Sequence, residues 1–267
     1  MDEKAEAEER SSPTGKVVYE AIRHEGLSEL ERSTSALAWS GLAAGLSMGF
    51  SFLGVGLVRG FLPEAPWVPL LSSFGYTLGF LIVILGRQQL FTENTLTVIL
   101  PLMRRRNAET LLDVLRLWAT VLAANFVGAL AFAFVIARTQ AVDPHVFEAL
   151  RNVAKDAAPA SFAVALLRGV FAGWLIAMVV WLLPFAEAAR IWVIVILTYV
   201  VGLAQLTHVI VSTVEAGFLV FTGDSTWAEM FTHSFVPALL GNIIGGVALV
   251  AALNHAQVVA GGETVDA

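Results

Sequence analysis

The sequence contains no cysteine, and charged residues make up only 14% of its 267 residues. The absence of cysteine excludes disulfides, iron–sulfur clusters and thiolate metal sites, and it leaves the redox compartment undetermined. A soluble domain usually carries about 25% charged residues, whereas 57% of this chain is hydrophobic. Apolar stretches of roughly 20 residues, long enough to cross a bilayer, recur along the chain. The sequence therefore predicts an all-α polytopic membrane protein.

Signals for an enzyme, a metal site or a nucleic-acid partner are also missing. The histidines lie scattered along the chain without metal-ligand spacing, at His24, His145, His208, His233 and His255. No phosphate-binding glycine loop occurs. The net charge is −6, and no basic face is present. We predict no enzymatic activity, no cofactor, no metal and no nucleic-acid partner.

The N-terminal residues 1–16 are polar and acidic and have no apolar core, so they predict a disordered tail and not a cleaved signal. Residues 17–32 predict either an amphipathic surface helix or a continuation of the solvated tail. The resulting organisation is an N-terminal tail, a first half, a connection, a second half and a C-terminal tail, at residues 1–33, 34–138, 139–160, 161–256 and 257–267.

Six apolar regions predict six spans, at residues 34–60, 70–102, 110–137, 161–184, 190–221 and 232–256. The first, third, fourth and sixth predict ordinary helices. The second contains GRQQLFTEN and the fifth contains GLAQLTH, both at membrane depth. Polar residues and glycine at that depth are tolerated only where the backbone faces protein or a wet cavity. The second and fifth helices are therefore predicted to be broken.

The two interruptions resemble each other as G-x-x-Q-L, which aligns Gly86 with Gly202 and Thr92 with His208. Each lies in the middle span of a three-span half. Because three is odd, the two halves must have opposite orientations in the membrane. Inverted repeats whose broken helices meet near the midplane are typical of transporters and channels.

Lys and Arg in the loops predict the orientation. With the N-terminus inside, nine of them lie inside, namely Lys4, Arg10, Lys16, Arg23, Arg32, Arg104, Arg105, Arg106 and Arg190. Four lie outside, namely Arg59, Arg138, Arg151 and Lys155. We therefore predict that both termini are cytoplasmic.

Three stretches resemble the formate/nitrite transporter family, in the family's order. QLFTEN at residues 89–94 resembles the loop of its broken second helix. LLRGVFAGWLIAMVVWL at 166–182 is similar to its fourth helix, and FVPALLGNIIGGVALVAAL at 235–253 to the start of its sixth. The resemblance implies an aquaporin-like six-helix protomer with its own pore, a homopentamer, and passage of small monovalent anions such as formate, nitrite or hydrosulfide, often with a proton.

The resemblance also implies site residues. Leu90, Phe91 and Thr92 match the family's constriction loop, His208 its central histidine, and Arg168 its vestibule lysine. We expect the substrate pore to include His208, Thr92, Leu90, Phe91, Arg168, Thr207 and Ser212.

Departures from the family pattern leave the substrate open. Gln89 replaces an acidic residue, although Glu93 supplies a carboxylate nearby, and Ser212 stands where the family often has Asn. Arg168 keeps the charge of lysine but not its chemistry. Residues 36–45 contain no counterpart of the family's first-helix lysine.

Each candidate residue also has a structural interpretation. His208 could give a hydrogen bond or a proton to a weak acid and so lower its desolvation cost, or it could be a core histidine satisfied by a carbonyl. Thr92 could bind the solute or His208, or cap a half-helix that begins near Glu93. Leu90 and Phe91 could form an apolar gate or ordinary packing.

Charges at membrane depth complete the set. Arg168 could attract anions to an outer vestibule, or it could form an ion pair or snorkel to the interface. Arg87 and Glu93 are predicted to pair as a brace across the loop, and Glu215 is a third intramembrane charge. The N-termini of the half-helices would present N–H groups and partial positive charge to the pore.

The sequence thus predicts a multi-pass protein of the bacterial inner membrane that acts as a channel or proton-linked transporter of small monovalent anions. A pore for neutral solutes, ammonia or cations, and a membrane scaffold that does not conduct, remain alternatives.

Overall fold

The computed structural model describes residues 13–260, which contain helices and no strand. Residues 1–12 and 261–267 lie outside this range, and they hold the beginning of the predicted N-terminal tail and the end of the predicted C-terminal one. We number the helices α1 Gly15–Leu30, α2 Thr34–Phe61, α3 Val68–Leu85, α4 Asn94–Thr97, α5 Ile99–Arg105, α6 Ala108–Arg138, α7 Pro144–Ala157, α8 Phe162–Leu182, α9 Arg190–Leu203, α10 Val209–Thr222 and α11 Trp227–Ala260. Two 3-10 turns, Leu183–Phe185 and Glu187–Ala189, join α8 to α9.

Both predicted helix breaks are confirmed. Among the described residues, five helices are long and apolar enough to cross a membrane, namely α2, α3, α6, α8 with its following turn, and α11. The fifth region instead forms α9 and α10, of 14 residues each, which are separated by a loop. The second region forms α3, a loop and the short helices α4 and α5.

The sixth span was predicted to be an ordinary helix, and this was wrong. α11 contains two π-helical segments, Met230–Phe235 and Ile244–Ala252. The first ends shortly before Pro237, which has no N–H for the preceding turn and whose ring crowds the carbonyl there, so the hydrogen-bond pattern shifts. α11 also continues to Ala260, into the stretch predicted to be a tail.

The two halves of the chain share the same close helix packing, made by glycines at equivalent positions. α2 packs on α6, and a Cβ added at Gly45 would overlap the backbone of Asn125. α8 packs on α11, and a Cβ at Gly173 would overlap the backbone of Asn242. Because lipid supplies no hydrophobic driving force between helices, small residues that allow close approach drive such packing.

α1 packs against the bundle and does not lie free on the membrane surface. Tyr19 and Ile22 are fully buried, and the Tyr19 hydroxyl lies 2.9 Å from Nδ1 of His255 on α11. A Cβ at Gly26 would overlap the Thr97 carbonyl. We call this side, predicted to be cytoplasmic, the inner side. α1 therefore forms part of the inner wall of the bundle.

The connection at residues 139–160 carries α7, which closes the opposite, outer side. Its apolar residues face α2, where Leu150 packs on Gly56. Ion pairs fasten it, from Arg59 to Asp156 at 2.8 Å and from Arg151 to Asp224 at 2.8 Å. The Thr222 hydroxyl, with the Lys155 and Arg151 cations, holds the pKa of Asp224 well below its usual value. Ion pairs thus hold α7 against the C-terminal end of α10.

Candidate functional site

The loops that interrupt the two broken helices share one backbone pattern. After α3, Gln88 donates its N–H to the Val83 carbonyl, and after α9, Leu206 donates to Val201. Arg87 and Gln205 precede these donors, with φ of 54° and 50°. Non-glycine residues rarely adopt this left-handed conformation, so each loop is a specific turn and not a frayed helix end.

Asn125 on α6 holds the first loop. Its amide donates to the carbonyls of Gly41 at 2.7 Å and Gln89 at 2.9 Å, and its oxygen accepts the N–H of Phe91 at 2.9 Å. One buried side chain therefore satisfies two backbone groups of the loop, the Gln89 carbonyl and the Phe91 N–H, and connects the loop to α2 through the Gly41 carbonyl.

Asn242 on α11 does the same for the second loop. It donates to the carbonyls of Gly169 at 2.8 Å and Thr207 at 2.9 Å, and it accepts the N–H of Val209 at 2.8 Å. Neither asparagine was predicted to have a role. The available signal was a carboxamide in the middle of an apolar span, which must find hydrogen-bond partners.

Asn125 and Asn242 bind equivalent backbone groups of the two loops, and these hydrogen bonds correct the G-x-x-Q-L alignment. They pair Gln89 with Thr207 and Leu90 with His208, which are 118 positions apart. The G-x-x-Q-L alignment, with pairs 116 positions apart, was wrong by two residues. It rested on glutamine, whereas the structure anchors the loops through their backbones to asparagine.

Thr92 and His208 join the two loops at the centre of the fold. Both are fully buried, and Thr92 Oγ1 lies 2.7 Å from His208 Nε2. The Val211 N–H donates to His208 Nδ1 at 3.4 Å. In the neutral ring Nε2 therefore carries the proton and donates to Thr92, because Nδ1 acts as acceptor. This leaves the Thr92 hydroxyl proton available for a solute.

The hydrogen bonds of these two residues differ from those that their predicted structural alternatives require. His208 contacts Thr92 and the Val211 N–H, not a carbonyl, and it occupies the N-cap position of α10. Thr92 does not cap the half-helix after its loop, because Glu93 is at that N-cap position and makes no capping bond. That half-helix, α4, has only four residues. Of the two half-helices that begin at the loops, only α10, with 14 residues, is long enough to have a substantial dipole.

Apolar side chains enclose the pair. Leu90 and Phe91 are buried, and the Phe91 ring packs on Trp118 with centroids 5.5 Å apart. Phe80 on α3 packs edge-on against the His208 ring at 5.0 Å. Phe80 was not predicted, since it is one of many aromatic residues in an apolar span.

A cavity of about 230 Å³ opens on the inner side. α1 contributes Glu25 and Glu29 to its wall, and the first loop contributes Gln89 and Glu93. The Gln89 amide donates to Glu29 at 2.7 Å and accepts from Asn94 at 3.0 Å. An acidic side chain at position 89, as in the family pattern, could not donate to Glu29 when ionised. Glutamine at position 89 can therefore donate a hydrogen bond to the acidic side chain that α1 places beside it.

On the outer side, Ser212 and Glu215 line two cavities, a larger one of about 290 Å³ and a smaller one of about 50 Å³. A third outer cavity, of about 410 Å³, lies between α7 and the segment after α2 and contains neither residue. Thr207 lines the cavity of about 50 Å³, and its hydroxyl donates to the Ala165 carbonyl at 2.6 Å. Thr92 and His208 line none of these inner and outer cavities.

The predicted brace between Arg87 and Glu93 was wrong. Arg87 pairs with Glu25 of α1 at 2.9 Å, and its side chain is 71% exposed. The left-handed turn at Arg87 leaves its side chain at the inner surface, where α1 lies. Glu93 Oε1 is buried and has no hydrogen-bond partner among the described residues.

Arg168 lies half-buried on α8 and lines neither the inner cavity nor any of the three outer ones. No ion pair of the described chain involves it. Within the described residues, no group of three or more His, Asp and Glu could hold a metal ion.

Comparison with known proteins identifies the family. The family model "Formate/nitrite transporter" matches residues 16–256. The chain belongs to this family. It is 38% identical to the inner membrane protein YfdC of Escherichia coli K12 over 251 residues, which cover 94% of this chain and 81% of that protein. It is 25% identical to the formate channel BtFdhC of Bacillus thuringiensis, covering 87% and 91% of the two chains.

Two solved structures of this family share the fold. A pentameric formate channel with formate bound matches with a TM-score of 0.71 and 17% identity, covering 85% of this chain and 98% of the other. An FNT family ion channel matches with a TM-score of 0.79 and 17% identity, covering 91% and 99%. The likeness shows the predicted aquaporin-like fold, and membership of the family makes the chain a membrane transport protein.

Proposed function

We propose that this family member conducts small monovalent anions of the formate, nitrite or hydrosulfide kind, as a channel or a proton-linked transporter, past Thr92 and His208. One observation carries the proposal: a single buried, hydrogen-bonded pair joins the two helix breaks, between a cavity on the inner side and cavities on the outer side.

The geometry suits a weak acid and its anion. An anion at the central pair would accept a hydrogen bond from the Thr92 hydroxyl and lie near the N-terminus of α10, whose partial positive charge favours it. Leu90, Phe91 and Phe80 surround the pair with apolar surface, which makes passage of a charged solute costly. Taking up a proton would remove most of this cost.

We further propose that the protein is a homopentamer of the bacterial inner membrane with both termini in the cytoplasm. The name of the Escherichia coli relative places that protein in the inner membrane, and one structural neighbour is described as pentameric. Large apolar side chains such as Trp39, Leu112 and Trp192 are exposed on the single protomer. Lipid or neighbouring protomers would cover them.

A second candidate is a pore for ammonia or another neutral or cationic small solute. Carboxylates outnumber cations at both entrances, with Glu25, Glu29 and Glu93 against Arg87 and Arg190 at the inner cavity. Glu215, Asp224 and Glu229 line the larger outer cavity. Such walls favour cations over anions.

Flux into proteoliposomes tests these functions. We expect the purified chain to raise the influx of formate, nitrite or hydrosulfide above that of empty liposomes, and to raise it further under an inward proton gradient. The measurement is stopped-flow fluorescence with a trapped pH dye and, separately, isotope-labelled formate. Faster movement of ammonia alone would favour the second candidate. If the proteoliposomes conduct none of these solutes, the protein is a scaffold and the proposal is wrong.

A further inference from the structure

One face of α10 carries a line of polar side chains that continues from the central pair toward the outer side. His208 precedes the helix, and Ser212 and Glu215 follow four and seven residues later. Residues at this spacing lie on one face of a helix, one and two turns apart. Thus a carboxyl group and a hydroxyl group lead outward from His208.

The outer cavities meet at this polar face. Ser212 and Glu215 are among the few residues that line both the larger and the smaller cavity. A solute that enters the larger outer cavity and continues into the smaller one therefore passes the Glu215 carboxyl.

Glu215 differs from the other carboxylates of these cavities because no hydrogen bond or ion pair engages it within the described chain. Asp224 accepts from Thr222 and pairs with Arg151 and Lys155. Glu229 accepts from Ser225 and Thr226 in a capping box at the start of α11.

The cations near Glu215 are engaged with other acids. Lys155 pairs with Asp224 at 3.0 Å, and Arg59 pairs with Asp156 at 2.8 Å through Nη1, whereas the buried Nε of Arg59 has no hydrogen-bond partner among the described residues. The titratable and charged groups that share the outer cavities with Glu215 are Arg59 on α2, Tyr76 on α3, Lys155 on α7, Asp224 after α10, and Glu229 and His233 on α11. None of these cations forms an ion pair with Glu215 in the described chain.

We propose that Glu215 is the group that exchanges a proton with the substrate in the outer cavity, before the substrate reaches His208. The inference rests on the proposed anion transport. The protonated Glu215 carboxyl gives its proton to the entering anion, which leaves a carboxylate on Glu215 and a neutral acid in the cavity. The neutral acid moves past Ser212 to the central pair, and Glu215 takes a new proton from water on the outer side.

The chemistry fits this position better than the central pair. The outer cavity holds space for water, which can return the proton, whereas His208 and Thr92 are fully buried. A partnered acid such as Asp224 would have to break its ion pairs to take up a proton.

The experiment compares Glu215→Gln with wild type in proteoliposomes, by formate influx at a series of outer pH values and a fixed inner pH. Gln keeps the size and the polarity but has no proton to give. We expect influx at acidic outer pH to fall by about 100-fold, the lower end of what a positioned acid contributes, and to lose its dependence on outer pH. Glu215→Asp should retain that dependence. Glu229→Gln is the matched control, because it removes one outer carboxylate and preserves a capping residue.

Failure of this inference is distinguishable from failure of the proposed function. If wild type conducts no anion, both are wrong. If wild type conducts and Glu215→Gln keeps its rate and its pH dependence, only the role of Glu215 is overturned. Should Glu215→Gln not assemble, Glu215→Ser leaves a smaller polar group in a cavity with room for it, and the same loss is expected.

Discussion

Replacing His208 with alanine is expected to reduce formate flux by at least about 100-fold, as removal of a single preorganised donor does in enzymes. The ring joins the two loops through Thr92 and accepts the Val211 N–H, so it fixes the direction in which the Thr92 hydroxyl proton points. Without the ring, Thr92 loses its buried partner and the substrate loses an oriented hydrogen-bond donor. Isotope-labelled formate uptake into proteoliposomes measures the loss.

His145→Ala is the matched control for this substitution. His145 is exposed on α7 and packs against Phe61, away from the central pair. Its replacement should leave formate flux unchanged. Wild-type flux in His208→Ala, with the pentamer intact by size-exclusion chromatography, would remove the histidine from the mechanism.

Replacing either asparagine brace with leucine of similar size is expected to lower stability by about 2–5 kcal/mol. In Asn125→Leu the carbonyls of Gly41 and Gln89 and the N–H of Phe91 lose their partner together. Asn242→Leu has the same consequence for the second loop. Two unpaired backbone groups in the loop, at membrane depth, should also open the turn and displace Thr92 or His208, so transport should fall with stability.

Thermal and detergent-induced unfolding of the purified variants measures this effect. Asn152→Leu provides the control, because Asn152 lies exposed on α7. Its stability should stay within about 0.5 kcal/mol of wild type, as for most surface substitutions. A change this small in Asn125→Leu or Asn242→Leu would show that other contacts hold the loops.

Much of the fold could be predicted because lipid accepts only apolar segments whose backbone groups are hydrogen-bonded. An apolar run that contains Arg87 and Glu93 cannot continue as a lipid-facing helix, so the break in the second span was visible in composition alone. The prediction of this break depends on hydrophobicity, which the linear sequence records directly. Thr92 and His208 were singled out by the resemblance to the family, and the sequence left open whether Thr92 contacts the solute or His208.

The partners of individual side chains could not be predicted in the same way. The ion pair of Arg87 depends on where α1 lies, and the acidic N-terminal sequence gave no sign that Glu25 reaches the first loop. The loop alignment was wrong because a short G-x-x-Q-L match outweighed Asn125 and Asn242, which lie far from the loops in sequence. Glu215 was recognised as a charge in the membrane, but only the cavities place it on the outer route.

A double-mutant cycle on formate flux tests most directly whether the two loops act together through one central pair. The four proteins are wild type, Thr92→Val, His208→Ala and the double variant, each measured in proteoliposomes at equal protein density. Because both single changes break the same hydrogen bond, the double variant should be no slower than the slower single variant. Losses that multiply in the double variant would show that Thr92 and His208 act independently, and would contradict a shared site.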